Sequence, residues 1–122
     1  MKSPFKGKTG LKRIWNAMFY ALAGLAAAFK HEDAFRLEVL LALVLITITV
    51  SMNVSGVGKA LMIGCVILVL VAELVNSAIE AVTDRISLEK HVLAKRAKDL
   101  GSAAVMISLI NVPVVWLLVI FG

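Results

Sequence analysis

Glu73, Asn76, Glu80 and Asp84 follow directly on an uncharged run, Ala60 to Ala72. At 100° per residue the three carboxylates fall within roughly 40° of one another on a helix, with Asn76 about one side chain away. A charge inside a membrane helix must leave water, so a stripe of acids there is retained for use rather than for stability. Carboxylate oxygens hold hard cations and accept protons. The stripe therefore points to cation-assisted chemistry at the edge of a bilayer.

Depth separates the members of the stripe. The uncharged run is about 20 Å of helix at 1.5 Å per residue, whereas a bilayer core of about 30 Å needs roughly 20 residues. With Lys59 at the outer interface, the inner one lies near Ile79 or Glu80. Glu73 is then on the order of 9 Å beneath it, while Glu80 and Asp84 reach water. A carboxylate at that depth suits a general base that takes a proton from an alcohol; the other reading pairs Glu73 with a Lys or Arg of a neighbouring chain. Glu80 and Glu32 are expected at inner-interface depth on different helices, placed to meet around Mg²⁺, which is usually held by one or two carboxylates with substrate phosphates. For each of these two the alternative is a plain surface acid. Asn76 either positions the same groups or hydrogen-bonds between helices.

Lys98 and Asp99 are expected to open the last helix at inner depth. Lys98 reads equally as a point cation for phosphate or as a topology anchor. Asp99 reads as a cap or as a nucleotide contact. His91 is the kind of histidine found solvated at an interface, and Trp15 and Trp116 read as interface anchors or lipid-packing residues.

The elements that must carry these residues follow from composition and periodicity. Of 122 residues 61% are hydrophobic, and mean hydropathy is +0.95. A soluble domain is nearer half apolar, so the surplus calls for a membrane. Leu11, Ile14, Trp15, Met18, Phe19, Leu22, Leu25, Ala26 and Phe29 follow the spacing of one helix face. That predicts an amphipathic interfacial helix over about 10–30. Residues 1–9 read as a flexible start. Spanning helices are expected over 34–52, 59–85 and 96–121, within a single domain covering 1–122. The stretch 51–58 reads as an uncharged outer turn. Gly101, Ser102, Ala103 and Ala104 favour close helix packing, and Pro113 is expected to kink its helix. The fold expected is an all-α integral membrane protein.

The formal charge of +5 comes from basic residues confined to two places: Lys2, Lys6, Lys8, Lys12 and Arg13 at the start, and Arg85, Lys90, Lys95, Arg96 and Lys98 between apolar runs. That pattern fits positive-inside topology beside anionic lipid better than nucleic-acid binding, with the N-terminus cytoplasmic and the C-terminus outside. A cleaved secretory signal is not expected. The single Cys65 sits in an apolar run and reads as a small core residue. Gly7-Lys8-Thr9 looks like the tail of a P-loop, but Lys2 stands where that motif needs its first glycine, and no strand precedes it. Protein-kinase signatures are absent from the sequence. Any nucleotide must be held by helical carboxylates and cations instead.

The run Glu73-Leu-Val-Asn76-Ser-Ala-Ile-Glu80-Ala-Val-Thr-Asp84-Arg85 resembles the signature of the small bacterial integral-membrane diacylglycerol kinases. The likeness extends to Arg13, Ala34-Phe35-Arg36, Glu38 and Arg96-Ala-Lys98-Asp99-Leu-Gly101-Ser102-Ala-Ala-Val. It implies a homotrimer in the bacterial inner membrane, with three spanning helices and an interfacial helix per subunit, and active sites shared between subunits. It implies ATP-dependent phosphorylation of diacylglycerol, with Glu73 as base and Glu32 and Glu80 holding Mg-ATP. It further implies a nucleotide pocket of Asn76, Lys98 and Asp99, with Arg13, Tyr20 and the Glu89-Lys90-His91 turn nearby. Arg13, Ala34, Phe35, Arg36, Leu37, Glu38, Glu73, Ser102 and Trp116 would meet the lipid. The chain departs from the Gram-negative pattern at Leu37, where that pattern has Gln; at Asn53 and Ser55, where it has acids; and at Ala21, where it has Ser. The Leu37 change bears on contacts near the lipid headgroup. Two rival functions stand beside this one: an undecaprenol kinase, which shares the Glu-Asn-Glu signature, and a non-enzymatic small transporter subunit with Glu73 as a proton carrier.

Overall fold

The computed structural model describes residues 10–86 and 91–122. The expectations for residues 1–9, and for Glu89 and Lys90, lie outside the described residues. Four helices follow in order: α1 (Gly10–His31), α2 (Asp33–Ser51), α3 (Gly56–Thr83) and α4 (Val92–Phe121). Among the described residues there is no strand. The chain divides into two units, Met1–Asp33 and Ala34–Gly122.

In the first unit α1 runs unbroken for 22 residues. Trp15 and Phe19, one turn apart, meet edge to face with ring centroids 5.2 Å apart and planes at 77°, the arrangement the ring quadrupoles favour. Lys30 and His31 sit in the last turn, where positive charge complements the helix dipole. The Glu32 N–H closes the helix on the Ala28 carbonyl at 2.9 Å.

The second unit holds α2, α3 and α4. Each is long and apolar enough to cross a membrane. Polar side chains in α2 turn back on their own helix: Thr47 Oγ1 donates to Leu43 O and Thr49 Oγ1 to Leu45 O, both at 2.8 Å, and Ser51 Oγ donates to Thr47 O at 3.0 Å. Hydroxyls beside hydrocarbon need such partners because no water is there to supply them. Lys59 Nζ donates to the Val50 carbonyl at 3.0 Å, which places a cation on the unsatisfied end of α2.

Two helix starts differ from expectation. α3 begins at Gly56 rather than Lys59, because Ser55 Oγ accepts the Gly58 N–H at 3.0 Å as an N-cap. The outer turn is correspondingly shorter than 51–58. α4 begins at Val92 rather than 96, with His91 at the N-cap and its carbonyl accepting from the Ala94 and Lys95 N–H groups. The charged segment that read as connection is therefore helical from Val92 onward. At its far end α3 stops at Thr83, and the Asp84 N–H bonds Glu80 O at 2.9 Å.

α3 and α4 make the extensive helix contact of this unit. Where they cross near the outer turn, Gly58 lies so close to α4 that a methyl there would reach within 2.9 Å of Val119 Cγ1. Ala42 of α2 joins Cys65 and Val66 in a small buried cluster, with Leu45, Leu70, Val112, Val115 and Trp116 packed around it. Cys65 is a buried free thiol whose Sγ–H donates to Met62 O at 3.1 Å. Trp116 is half-buried in this cluster and donates its indole N–H to Met62 O at 3.3 Å. It therefore packs inside the unit rather than serving only as an interface anchor. α4 continues through Pro113, whose missing N–H leaves the Leu109 carbonyl without its usual helical partner. Large side chains such as Leu40, Leu43, Ile67, Leu68 and Leu117 point outward, as lipid-facing residues do and core residues do not.

Replacing Ser55 by Ala should cost about 1 kcal/mol of stability, the usual value of a lost N-cap, read as a lower midpoint in denaturing-detergent titration.

Candidate functional site

α3 carries the acidic stripe as a graded series. Glu73 is 9% exposed and Asn76 8%, Glu80 is half-buried and Asp84 is exposed. The series follows from periodicity: one helix face runs from the interior of the bundle to its end, and the acids follow that face. Asn76 Nδ2 donates to Glu80 Oε1 at 3.3 Å, one turn on. This bond ties the carboxamide to the carboxylate and limits the rotamers of both.

The carboxamide is held from the other side by α4. A methyl at Gly101 would overlap Asn76 Oδ1 and would also meet Ile79 Cδ1 at 3.4 Å. Gly101 is thus the slot into which the Asn76 side chain fits. The small residues expected to let helices approach do so here, at the level of the stripe. Asn76 Oδ1 is buried and has no hydrogen-bond partner. A cavity of about 280 Å³ opens beside it, lined by Ala72, Val75, Ile79, Leu100 and Ala104 along with Asn76 and Gly101.

Glu73 meets a second acid. The side chain of Glu38, one turn into α2, comes within electrostatic reach of that of Glu73. The sequence reading gave Glu38 only a place on the lipid side, and missed this contact. Its one signal was an acid standing alone immediately before the uncharged stretch Val39 to Val50. The contact itself depends on how α2 lies along α3, which local periodicity does not specify.

At the end of the bundle, Lys98 Nζ forms an ion pair with Asp84 Oδ1 at 2.9 Å, joining α4 to the close of α3. Lys95 Nζ pairs with Asp99 Oδ2 at 2.7 Å, an exposed i,i+4 pair of small energetic weight. Because α4 starts at Val92, Lys98 and Asp99 lie nearly two turns inside the helix. They do not open it, and Asp99 does not cap it. His91 takes the N-cap position without a side-chain capping bond.

The remaining candidates fall into two groups. Arg13 and Tyr20 are exposed on α1, and Glu32 is half-buried just after it; all three belong to the first unit. In α2, Ala34 and Leu37 are exposed, Phe35 is buried, and Arg36 and Glu38 are half-buried. Ser102 is exposed on α4. Among the described residues no three His, Cys, Asp or Glu side chains cluster as a metal site. Mg²⁺ needs no such cage, since one or two carboxylates serve when phosphates complete the shell. Glu80, tethered through Asn76 yet partly open, has the donor chemistry for that role.

The family model described as prokaryotic diacylglycerol kinase matches residues 19–120. The chain is 54% identical over 120 residues to a diacylglycerol kinase of Pseudomonas aeruginosa, covering 98% of each. It is 49% identical over 108 residues to a diacylglycerol kinase of Haemophilus influenzae, covering 88% of this chain and 92% of that one. With a diacylglycerol kinase of Escherichia coli K12 it shares 43% identity over 114 residues, 93% of each chain.

Gly101→Val should push the Asn76 carboxamide out of its slot. Overpacking of this kind costs about 1–3 kcal/mol. The loss is expected as a lower thermal midpoint in detergent, with Gly64→Val, where a Cβ meets nothing within 4 Å, as the tolerated control.

Proposed function

The chain belongs to the prokaryotic diacylglycerol kinase family, and on that premise we propose that this multi-pass membrane enzyme moves the γ-phosphoryl group of ATP to the free hydroxyl of diacylglycerol, giving phosphatidate. The observation that carries the reading is the graded stripe on α3. A buried acid, Glu73, lies on one helix face with Asn76 and the half-open Glu80. A greasy alcohol and a charged triphosphate need different depths, and one helix offers both.

In this reading Glu73 accepts the hydroxyl proton as the oxygen attacks phosphorus. Glu80 and Glu32 hold Mg-ATP, with Asn76 orienting Glu80 through their hydrogen bond. The ion, when bound, supplies charge neutralisation on the phosphates. Lys98 and Asp99, with Arg13, Tyr20, Glu89, Lys90 and His91, surround the nucleotide. Lys98 spends one of its three N–H donors on Asp84, which leaves two for phosphate oxygens. Arg13, residues 34–38, Ser102 and Trp116 face the lipid substrate.

The same proposal places α1 flat in the interface. Leu11, Ile14, Trp15, Met18 and Phe19 are all more than half exposed, an apolar face that suits the acyl boundary. It places the N-terminus and the Arg85–Lys98 segment on the cytoplasmic side of the inner membrane, by the positive-inside rule. It takes three copies of the chain as the working unit, because a half-buried acidic stripe is better sheltered by neighbouring helices than by lipid. Diacylglycerol is preferred to undecaprenol on the names of the relatives, which run to 54% identity. A transporter subunit gives no reason for acids at Glu80 and Asp84.

Three measurements follow. Glu73→Gln should lower transfer of labelled phosphate to diacylglycerol in mixed micelles by at least about 10²-fold while nucleotide still binds; a near-normal rate removes Glu73 from the base role. Glu80→Gln should instead weaken Mg-ATP binding, and unchanged affinity counts against Glu80 as a metal ligand. Competition between diacylglycerol and undecaprenol should favour the former.

A further inference from the structure

Asp84 is the last acid of the stripe on α3, and neither the proposed base nor the proposed metal ligands give it a part. It stands at the C-cap of α3, where its backbone N–H bonds Glu80 O at 2.9 Å. That puts it one turn past Glu80 on nearly the same face, about 6 Å along the axis. Its carboxylate crosses to α4: Oδ1 accepts from Lys98 Nζ at 2.9 Å, over a separation of 14 residues in the chain.

Two lysine–aspartate pairs stand at this end of the bundle, and they differ. Lys95 and Asp99 lie along one helix, with side chains 68% and 64% exposed. In the pair that crosses between helices Lys98 is only 28% exposed, against 61% for Asp84. The Lys98 stem is therefore packed, and its charged head emerges where Asp84 receives it. A lysine is a point charge on a flexible four-carbon stem, so the carboxylate that meets its head decides where the charge sits. A partly exposed pair adds little to stability. What this one does is place a cation one turn from Glu80, at the level where Mg-ATP is read to dock.

We infer that Asp84 is a positioning residue for phosphoryl transfer: its carboxylate holds the Lys98 ammonium beside the Glu80 end of α3, with two N–H donors left for phosphate oxygens. The inference rests on the reading of Lys98 as a nucleotide contact. In the step itself the acceptor hydroxyl oxygen bonds the γ-phosphorus, and its proton passes to Glu73. The bond from phosphorus to the bridging oxygen breaks, and its electron pair leaves with ADP. Lys98 makes and breaks no covalent bond and keeps its protons. A cation already in place meets the developing charge without reorganisation at the moment of transfer.

The test uses the full-length protein in detergent with diacylglycerol and Mg-ATP. Asp84→Ala removes the carboxylate, and Asp84→Glu keeps it on a stem one methylene longer. Alanine is the best helix former and the pair carries little stability, so the thermal midpoint of Asp84→Ala is expected to match the wild type. Misplacing a group that acts on the reacting centre costs up to about 10²-fold. Asp84→Ala is expected to lower kcat/KM for Mg-ATP by about 10-fold with KM for diacylglycerol unchanged, and Asp84→Glu to recover most of that loss. A wild-type kcat/KM in Asp84→Ala, or equal losses in the two variants, overturns the inference. A loss that comes only with a lower midpoint and a raised KM for diacylglycerol marks the pair as a helix clamp and overturns it too. Asp84→Asn, isosteric and uncharged, is read in the same way where Asp84→Ala fails to fold. Lys98→Met separates the premise. If it keeps the wild-type kcat/KM for Mg-ATP, the reading of Lys98 falls and the inference with it. If Lys98→Met is impaired and Asp84→Ala is not, the nucleotide contact stands and the part given to Asp84 falls.

Discussion

Carboxyl groups beside hydrocarbon must find polar partners within the protein, because lipid provides none. On α3 this demand is met from two sides. Glu38 of α2 comes within electrostatic reach of Glu73, and the glycine slot at Gly101 of α4 receives the Asn76 carboxamide, which in turn bonds Glu80. The rest of the second unit serves those two contacts. The Gly58–Val119 approach sets α3 and α4 close at the opposite end, and the cluster of Ala42, Cys65 and Val66 sets α2 against α3. The apolar packing is small, and most large side chains face outward. Helix association in lipid depends on close backbones and interhelical polar contacts rather than on expelling water, and the residues found between these helices are of those kinds.

Much of this was legible in the sequence. Hydropathy and the break at His31–Asp33 mark the helices, since an uncharged run of this length has few other uses. Helical periodicity alone places Glu73, Asn76, Glu80 and Asp84 on one face, and along that face of α3 the side chains run from buried at Glu73 and Asn76 to exposed at Asp84. The likeness to a known kinase family rests on the same residues, and a match over 102 of the 122 positions, residues 19–120, bears it out.

What was not legible is instructive. The segment before Lys98 looked like a loop because it is rich in charge. Charge says where a helix leaves the bilayer, not where it ends, and α4 extends back to Val92 as a solvated turn. Ser55 was read as part of a turn, though its hydroxyl caps α3 and moves that helix start to Gly56. Gly101 was read as generally favourable to packing. Its specific partner, Asn76, follows from the register of α4 on α3, and register is a tertiary quantity. Glu38 meeting Glu73 has the same origin. Each element was visible by itself, whereas pairings between elements were not.

α2 is shorter than its two neighbours by more than two turns: 19 residues in α2, 28 in α3 and 30 in α4. At 1.5 Å per residue these are about 28, 42 and 45 Å, against a hydrocarbon slab of about 30 Å. The shortest helix matches the slab and the other two overshoot it. Bilayer thickness thereby becomes a ruler laid along α3, and thin and thick membranes bring the waterline to different rungs of the acidic ladder. A few ångströms of added lipid would draw Glu80 toward the oil, while thinning would hydrate Glu73. Mismatch of this kind costs only fractions of a kcal/mol per ångström, so tilt can absorb part of it. The host membrane is in that sense part of the active-site geometry.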